Sequence, residues 1–423
     1  MKNGTGNPEA LHETASLIEE YIKQHLFDEY GLMYSGIDSH TGKPFKREFI
    51  TPVKVPGRAQ FDPWSYWTYE DSVMSMGLYL DGLILQYEVT GNNACIRTAG
   101  NIWKAIENVY SCSQVHGIGS FLRPYGGFQQ MHRFMEPLGT DQASPLFCGL
   151  YRYLPYSSRE SAEDIKRVML KTLEWYEQQG FKYFYYKSFI HGGMYSTCHS
   201  NSYYLPAIAW AASLYPQDKR WNKYLKIRLH LYKTGVAQLY PRKGHPTFNW
   251  GSDLDILHRI LGLDFRKTFT TDLLDEACAA VNESLENYEK PGMFKRMYPE
   301  SAAPDFVPYV GKTKSIINFA YHTTVHQGKM YPGHEIYFLL SLASVGYRTR
   351  ETVELISELL ALRSRVPGDF THFLSEDYEK LPETVHIYAR SVGVIMVGWW
   401  RNYWLLRNIL ERKIRNHSMD KKV

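Results

Sequence analysis

Residues 69–111 read YEDSVMSMGLYLDGLILQYEVTGNNACIRTAGNIWKAIENVYS. From Val73 to Leu85 the run is apolar on nearly all sides, with small residues interspersed, the mark of a helix buried all round. Thr90-Gly91-Asn92-Asn93 is a Gly-Asn stop. Beyond it, apolar residues resume at helical spacing over 93–111. A buried helix, a tight turn and an amphipathic helix make one helical hairpin.

The same rhythm runs the length of the chain. Periodicity near 3.6 predicts helices at 8–28, 69–90, 93–111, 141–156, 159–179, 200–215, 218–235, 251–263, 269–288, 333–346, 349–365 and 383–412. Short turns follow every second helix: Thr90–Asn92, Tyr156–Ser158, Pro216–Asp218, Leu263–Arg266 and Gly346–Tyr347. Long segments precede the even-numbered helices: 29–68, 112–140, 180–199, 236–250, 289–332 and 366–382. Ala143–Leu154 and Val392–Trp400 repeat the apolar-all-round pattern, whereas 159–179, 269–288 and 349–365 carry charge on one face. Alternating inner and outer helices predict an all-α fold, an (α/α)6 toroid of six helical hairpins with its long loops on one face. An irregular all-α protein and a helical-repeat solenoid are the alternatives. No 34–40-residue self-similarity with a fixed motif supports the solenoid.

With 423 residues and no Pro/Ser-rich linker, charge run or low-complexity tract, 1–423 reads as a single domain. A net charge of +4 is too balanced to suggest nucleic acid as a partner, and no apolar run is long enough to cross a membrane. The start, Met1-Lys2-Asn3-Gly4-Thr5-Gly6, has no hydrophobic signal core, which suggests a cytoplasmic protein. Five cysteines without a CxxC pair read as reduced thiols.

The long loops hold His40, His116, His132, His191, His199, His245, His322, His326 and His372, nine of the chain's 16 histidines. They are also rich in aromatic residues, among them Trp64, Trp67 and Trp250. Sugars lay C–H faces on aromatic rings and offer hydroxyls to polar groups, so a face lined this way suits an oligosaccharide substrate. Six constellations stand out. Glu70 and Asp71 open the second helix beside Trp64 and Trp67, where partial desolvation suits a carboxyl that exchanges protons. They equally suit the positive end of a helix dipole without further purpose. Arg123, His132, Arg133 and Asp141 lie in or just after 112–140. Thr140 or Asp141 is expected to cap the fourth helix, with Pro145 tolerated near its first turn, and a guanidinium matches a substrate carboxylate. His191-Gly192-Gly193 and His199-Ser200-Asn201 precede the sixth helix, and Trp250 the eighth. His322-x-x-x-His326 with His334-Glu335 has metal-ligand spacing, but Gly328, Pro332 and Gly333 argue for a loop, so no metal is expected. Asp369, His372, Glu376 and Asp377, then Glu383 and His386, complete the set. No P-loop or GxSxG elbow appears, and no nucleotide cofactor is expected.

This pattern is similar to the six-hairpin glycosidase superfamily. Asp141-Gln142-Ala143-Ser144-Pro145-Leu146, opening an inner helix, resembles the catalytic-aspartate helix of unsaturated glucuronyl and rhamnogalacturonyl hydrolases. The resemblance implies an (α/α)6 toroid, no cofactor and uronate-containing oligosaccharides, with Asp141 as general acid/base and Asp71 as the second carboxylate. Trp64, Trp67, Arg123, His132, His191, His199, Trp250, His322 and His334 are the substrate-binding candidates read from the residues themselves. An ordinary two-carboxylate glycosidase fits as well. So do a polysaccharide lyase working through His199, Asn201 and Tyr204, a two-histidine sugar epimerase, a non-catalytic carbohydrate-binding protein and a scaffold.

Overall fold

The computed structural model describes residues 8–50, 63–133, 135–185, 188–192, 204–233, 252–262 and 391–419, with isolated helical positions between 340 and 361. In chain order the elements are α1 (Pro8–His25), β1 (Gly36–Asp38), α2 (Arg47–Ile50), α3 (Pro63–Tyr69), α4 (Ser72–Thr90), α5 (Asn93–Val115), α6 (Thr140–Tyr153) and α7 (Arg159–Gln178). A hairpin, β2 (Lys182–Tyr185) with β3 (Ser188–Gly192), follows. Then come α8 (Tyr204–Leu214), α9 (Lys219–Lys233), α10 (Ser252–Leu261), β4 (Ser391–Gly393) and α11 (Val394–Met419).

The fold is an all-α toroid of paired helices. Helices α4, α6, α8, α10 and α11 form the inner layer. From Ser72 to Gln86 every residue of α4 is buried, and so is every residue of α8 from Tyr204 to Ala212. Buried helical positions Leu340 and Ala343 fall between α10 and α11. Outer helices bury one stripe only: in α7 this is Ile165, Val168, Met169, Thr172, Leu173 and Tyr176, the spacing of an amphipathic helix. The ring closes on itself, because α11 packs against both α4 and α1. Trp399 of α11 donates its indole N–H to the carbonyl of Leu360 at 3.0 Å.

Neighbouring inner helices run parallel and in register. Between α4 and α6 the contacts are Asp71 with Gln142, Gly77 with Leu146 and Gly149, and Asp81 with Arg152. Between α4 and α11 they are Asp81 with Arg401 and Glu88 with Asn408. All of these helices therefore begin at the same mouth of the ring. Backbones meet where glycine permits it: a Cβ on Gly149 would lie 2.3 Å from the Gly77 carbonyl oxygen, and one on Gly82 would lie 2.5 Å from the Trp400 ring.

Halfway down the ring lies a buried charge network. Arg152 pairs with Asp81 and, at 2.5 Å, with Asp255; Arg401 pairs with Asp81 at 2.7 Å. Arg259 adds a 3.2 Å contact to Asp255 and reaches toward Glu88. Burial alone would raise the carboxyl pKa values, but Arg152, with Arg401 beside Asp81 and Arg259 beside Asp255, outweighs it and holds both aspartates below the usual range.

Several boundaries differ from the sequence expectation. The helix expected over 69–90 is two, α3 and α4, broken at Glu70-Asp71. That break is stabilised from outside, since Gln142 donates to the Glu70 carbonyl at 3.0 Å and the Asp71 N–H donates to Ser35 Oγ at 2.6 Å. The helix expected from 383 begins at Val394, because Ser391–Gly393 pairs antiparallel with Gly36–Asp38. Thr140 and Asp141 do not cap α6. Gly139 does, its N–H donating to the Gln142 side chain at 3.2 Å, and Pro145 lies inside the helix. The expected stop at Gly91 is found with its left-handed φ of 69°, and Ser158 caps α7 by accepting from the Ser161 N–H at 3.1 Å. The predicted helix 269–288 and most of 333–346 and 349–365 lie outside the described residues, as do the loop 289–332, the sixth constellation at 369–386, and Cys198 and Cys278; Cys95, Cys112 and Cys148 are free thiols. No described helix is long and apolar enough to cross a membrane.

Two predictions follow from this packing. Gly149→Ala forces α4 and α6 apart and is expected to lower unfolding free energy by about 1–3 kcal/mol in urea melts. Asp81 titrates below its unfolded value, so the unfolded chain takes up the proton first. Its stabilisation is complete above about pH 4 and is lost as pH falls through the lower folded pKa. Asp81→Asn should therefore destabilise strongly at neutral pH, and the gap to the natural protein should narrow on acidification, read by melts across pH.

Candidate active site at the mouth of the ring

The short non-helical step between α3 and α4 places Glu70 and Asp71 at the mouth. Glu70 is buried and forms an ion pair with the Arg123 guanidinium. Arg123 itself is 1% exposed, and it also donates to the Pro137 carbonyl at 3.3 Å. Its backbone N–H donates to the Glu136 carbonyl at 2.7 Å, and Leu138 N–H to Phe121 at 3.0 Å, so 121–125 and 136–138 run antiparallel as a brace over the mouth. Arg123, expected to meet a substrate carboxylate, is instead held inside against Glu70.

Asp71 is partly exposed. Its Oδ1 accepts from Gln142 Nε2 at 2.6 Å, and the same amide donates to the Glu70 carbonyl while its oxygen accepts the Gly139 N–H. One glutamine thus ties the start of α6 to the start of α4. Asp141 is the residue before it, in the first turn of α6. The two acid-bearing helix starts are adjacent, joined by Gln142, and a helix start is the positive end of its dipole, which suits anionic groups.

Aromatic residues line the approach. Trp64 on α3 donates its indole N–H to the Phe45 carbonyl at 2.7 Å, carries Arg47 over its face at 4.5 Å and meets Tyr69 edge-on. The Trp67 ring lies against Phe45. Tyr69 donates to Asp28 Oδ2 at 3.2 Å. Burial pushes the Asp28 carboxyl above its usual pKa, against the lowering effect of hydrogen bonds from Leu32, Tyr30 and Tyr69.

The structure thus brings together Asp71, Trp64, Trp67, Arg123 and the backbone of Asp141. His132 is exposed, and its ring stacks on His116. His191 lies on β3, opposite Tyr183. His199, Trp250, His322 and His334 lie outside the described residues. Sequence reading missed Gln142, Ser35 and Asp28. Gln142 carries the signature of an amide three residues into a helix, reaching back to the cap; Ser35 has no local signal.

Fold and site define a helical toroid with an acid-bearing, aromatic-lined mouth. No family model matches the chain, and no curated protein matches it. Among solved structures it is similar to the GH76A alpha-1,6-mannanase of Salegentibacter sp. HEL1_6, with a TM-score of 0.42 and 13% identity over 95% of this chain and 99% of that one. An inactive variant of that mannanase with two neighbouring aspartates replaced, in complex with alpha-1,6-mannotriose, gives a TM-score of 0.43 at 12% identity, over 95% and 99% of the two chains. An unsaturated glucuronyl hydrolase specific for heparin gives 0.46 at 8% identity, over 96% and 97%.

Removing the Glu70 carboxylate takes its ion-pair partner away from the buried Arg123 guanidinium. Glu70→Ala is expected to cost about 3–5 kcal/mol of stability, measured as a drop in Tm and in urea midpoint.

Proposed function

We propose that residues 1–423 form one catalytic unit, a glycoside hydrolase acting on uronate-containing oligosaccharides with Asp141 and Asp71 as its carboxylates. The observation that supports this reading is the Gln142 bridge, which joins the start of α6, the turn in which Asp141 falls, to Asp71 and the Glu70 carbonyl. Asp141 acts as general acid/base, protonating the substrate and then drawing the proton from the attacking water. Asp71, its rotamer fixed by Gln142, stands as the second carboxylate beside the reacting ring. The half-buried indoles of Trp64 and Trp67 support a sugar face next to them. The uronate preference rests on the resemblance of the Asp141–Leu146 segment to uronyl hydrolases. Because Arg123 is taken up by Glu70, recognition of the carboxylate falls to other residues; His191, His199, His322 and His334 are the candidates. Trp250 and His132 complete the proposed set of binding residues.

The test is turnover of saturated and unsaturated uronate oligosaccharides, followed by mass spectrometry and by absorbance of the unsaturated uronyl group. Loss of that absorbance with release of a shortened product is the expected result. Asp71→Asn and Asp141→Asn should each slow it by about 10²–10⁴-fold with unchanged Tm. Cleavage without any change in absorbance would replace the uronyl reading by an ordinary glycosidase. A rising absorbance that survives Asp141→Asn would mean a lyase and overturn the assignment.

A further inference from the structure

Tyr30 is 48% exposed, one of few large apolar side chains so placed among the described residues. Yet it is held in place. Gln129 Nε2 donates to its hydroxyl at 2.5 Å, and the Phe128 ring meets it edge-on at 6.4 Å. A fixed, outward-facing aromatic ring loses little conformational freedom when something lies on it.

The two loops that bear these rings meet over Tyr69. On one side, residues 26–34 turn back on themselves, with Phe27 bridged to Met33 and Asp28 Oδ1 accepting from the N–H groups of Tyr30 and Leu32, both at 2.9 Å. On the other, Gly126 and Gly127 take left-handed φ values of 74° and 77°. A Cβ on Gly127 would lie 3.5 Å from the Tyr69 ring and 3.8 Å from Asp28 Oδ2. Glycine thus permits the left-handed turn that lays the second loop beside the Asp28–Tyr69 hydrogen bond. Tyr69, buried beneath this patch, directly precedes Glu70-Asp71 in the chain, so the patch is anchored on the residue next to the mouth carboxylates.

Resting on the reading of the mouth as a carbohydrate site, we propose that Tyr30, Phe128, Gln129 and Asp28 form an outer subsite that holds a neutral sugar unit of the substrate, away from the bond at Asp71. The ring faces supply the apolar platform. The Gln129 amide and the Asp28 carboxylate supply acceptors for hydroxyls, and a hydrogen bond to an ionised acceptor is the stronger kind. The charge of the patch sets its preference. The donors to Asp28 are two backbone N–H groups and a phenol, all neutral, and Glu29 lies beside it. A uronate carboxylate at this position meets like charge; a neutral sugar does not. The substrate class that follows is a mixed oligosaccharide, with its acidic unit at the reacting position and a neutral unit further out.

The experiment is saturation-transfer NMR and calorimetry on the full chain. The probes are glucose-, mannose-, galactose- and xylose-built tetrasaccharides, with tetragalacturonate as the charged control, and turnover is followed in parallel. At least one neutral tetrasaccharide is expected to bind. Tyr30→Ala should weaken it about tenfold, Tyr30→Phe should leave it near the natural value, and tetragalacturonate should not displace it. The subsite is overturned if no neutral probe binds, if Tyr30→Ala binds unchanged, or if tetragalacturonate competes at this position. Turnover that Asp71→Asn abolishes and Tyr30→Ala leaves alone overturns the subsite only. Binding through Tyr30 with no turnover of any oligosaccharide overturns the hydrolase reading and keeps the subsite.

Discussion

The register of the inner helices rests on one buried electrostatic constraint: Asp81, Arg152, Asp255 and Arg401, drawn from α4, α6, α10 and α11, pair with one another inside the ring. Four charges taken out of water are costly to bury, and they are tolerated only when geometry and hydrogen bonding are met together. That demand fixes the axial position of each helix, since sliding α6 by one turn would part Arg152 from both aspartates. Apolar side chains alone do not impose such a register, because a buried leucine accepts many neighbours. The glycine contacts then set how close the helices come, and the network sets how far along.

The same register reaches the mouth. Asp71 and Asp81 are both on α4, or at its start, and Gln142 and Arg152 are on α6, each pair ten positions apart. At 1.5 Å per residue the two levels are separated by about 15 Å along the ring. The charge network and the Gln142 bridge are therefore two rungs between the same two helices. α4 held in register at its middle, and α6 at its last turn, each deliver their first turn to a fixed place, which is what a site built on helix starts needs.

Much of the fold was legible because the inner helices are apolar all round and the outer ones are not, a contrast that survives without knowing any partner. Gly91, Ser158 and the short turns at 90–92, 156–158 and 216–218 announced themselves by local chemistry, while those at 263–266 and 346–347 lie outside the described residues. The strand Ser391–Gly393 did not, because Ser391-Val392-Gly393 runs straight into the apolar residues of α11 and its partner, Gly36–Asp38, is at the other end of the chain. The break at Glu70-Asp71 was hidden for a similar reason, since Ser35 and Gln142 replace the helical hydrogen bonds from a distance. Asp71 was readable as a site candidate from its place at a helix start among tryptophans. Arg123 reads as a ligand for a substrate carboxylate and not as buried, since nothing in its neighbourhood points to Glu70. Asp81 and Arg152 sit in apolar runs without any local sign that they find each other.

The pairing of β1 with β4 has a further meaning. Ser35, whose hydroxyl holds the Asp71 backbone, also accepts the N–H of Val394 at 3.2 Å. Support for a residue near the front of the chain is thus completed only by one near its back. During synthesis the front two-thirds of the toroid can emerge and begin to pack while this support is still missing. The mouth acquires its final form only once residue 394 has left the ribosome, so assembly of the site waits for β4 and not only for the helices that carry the acids.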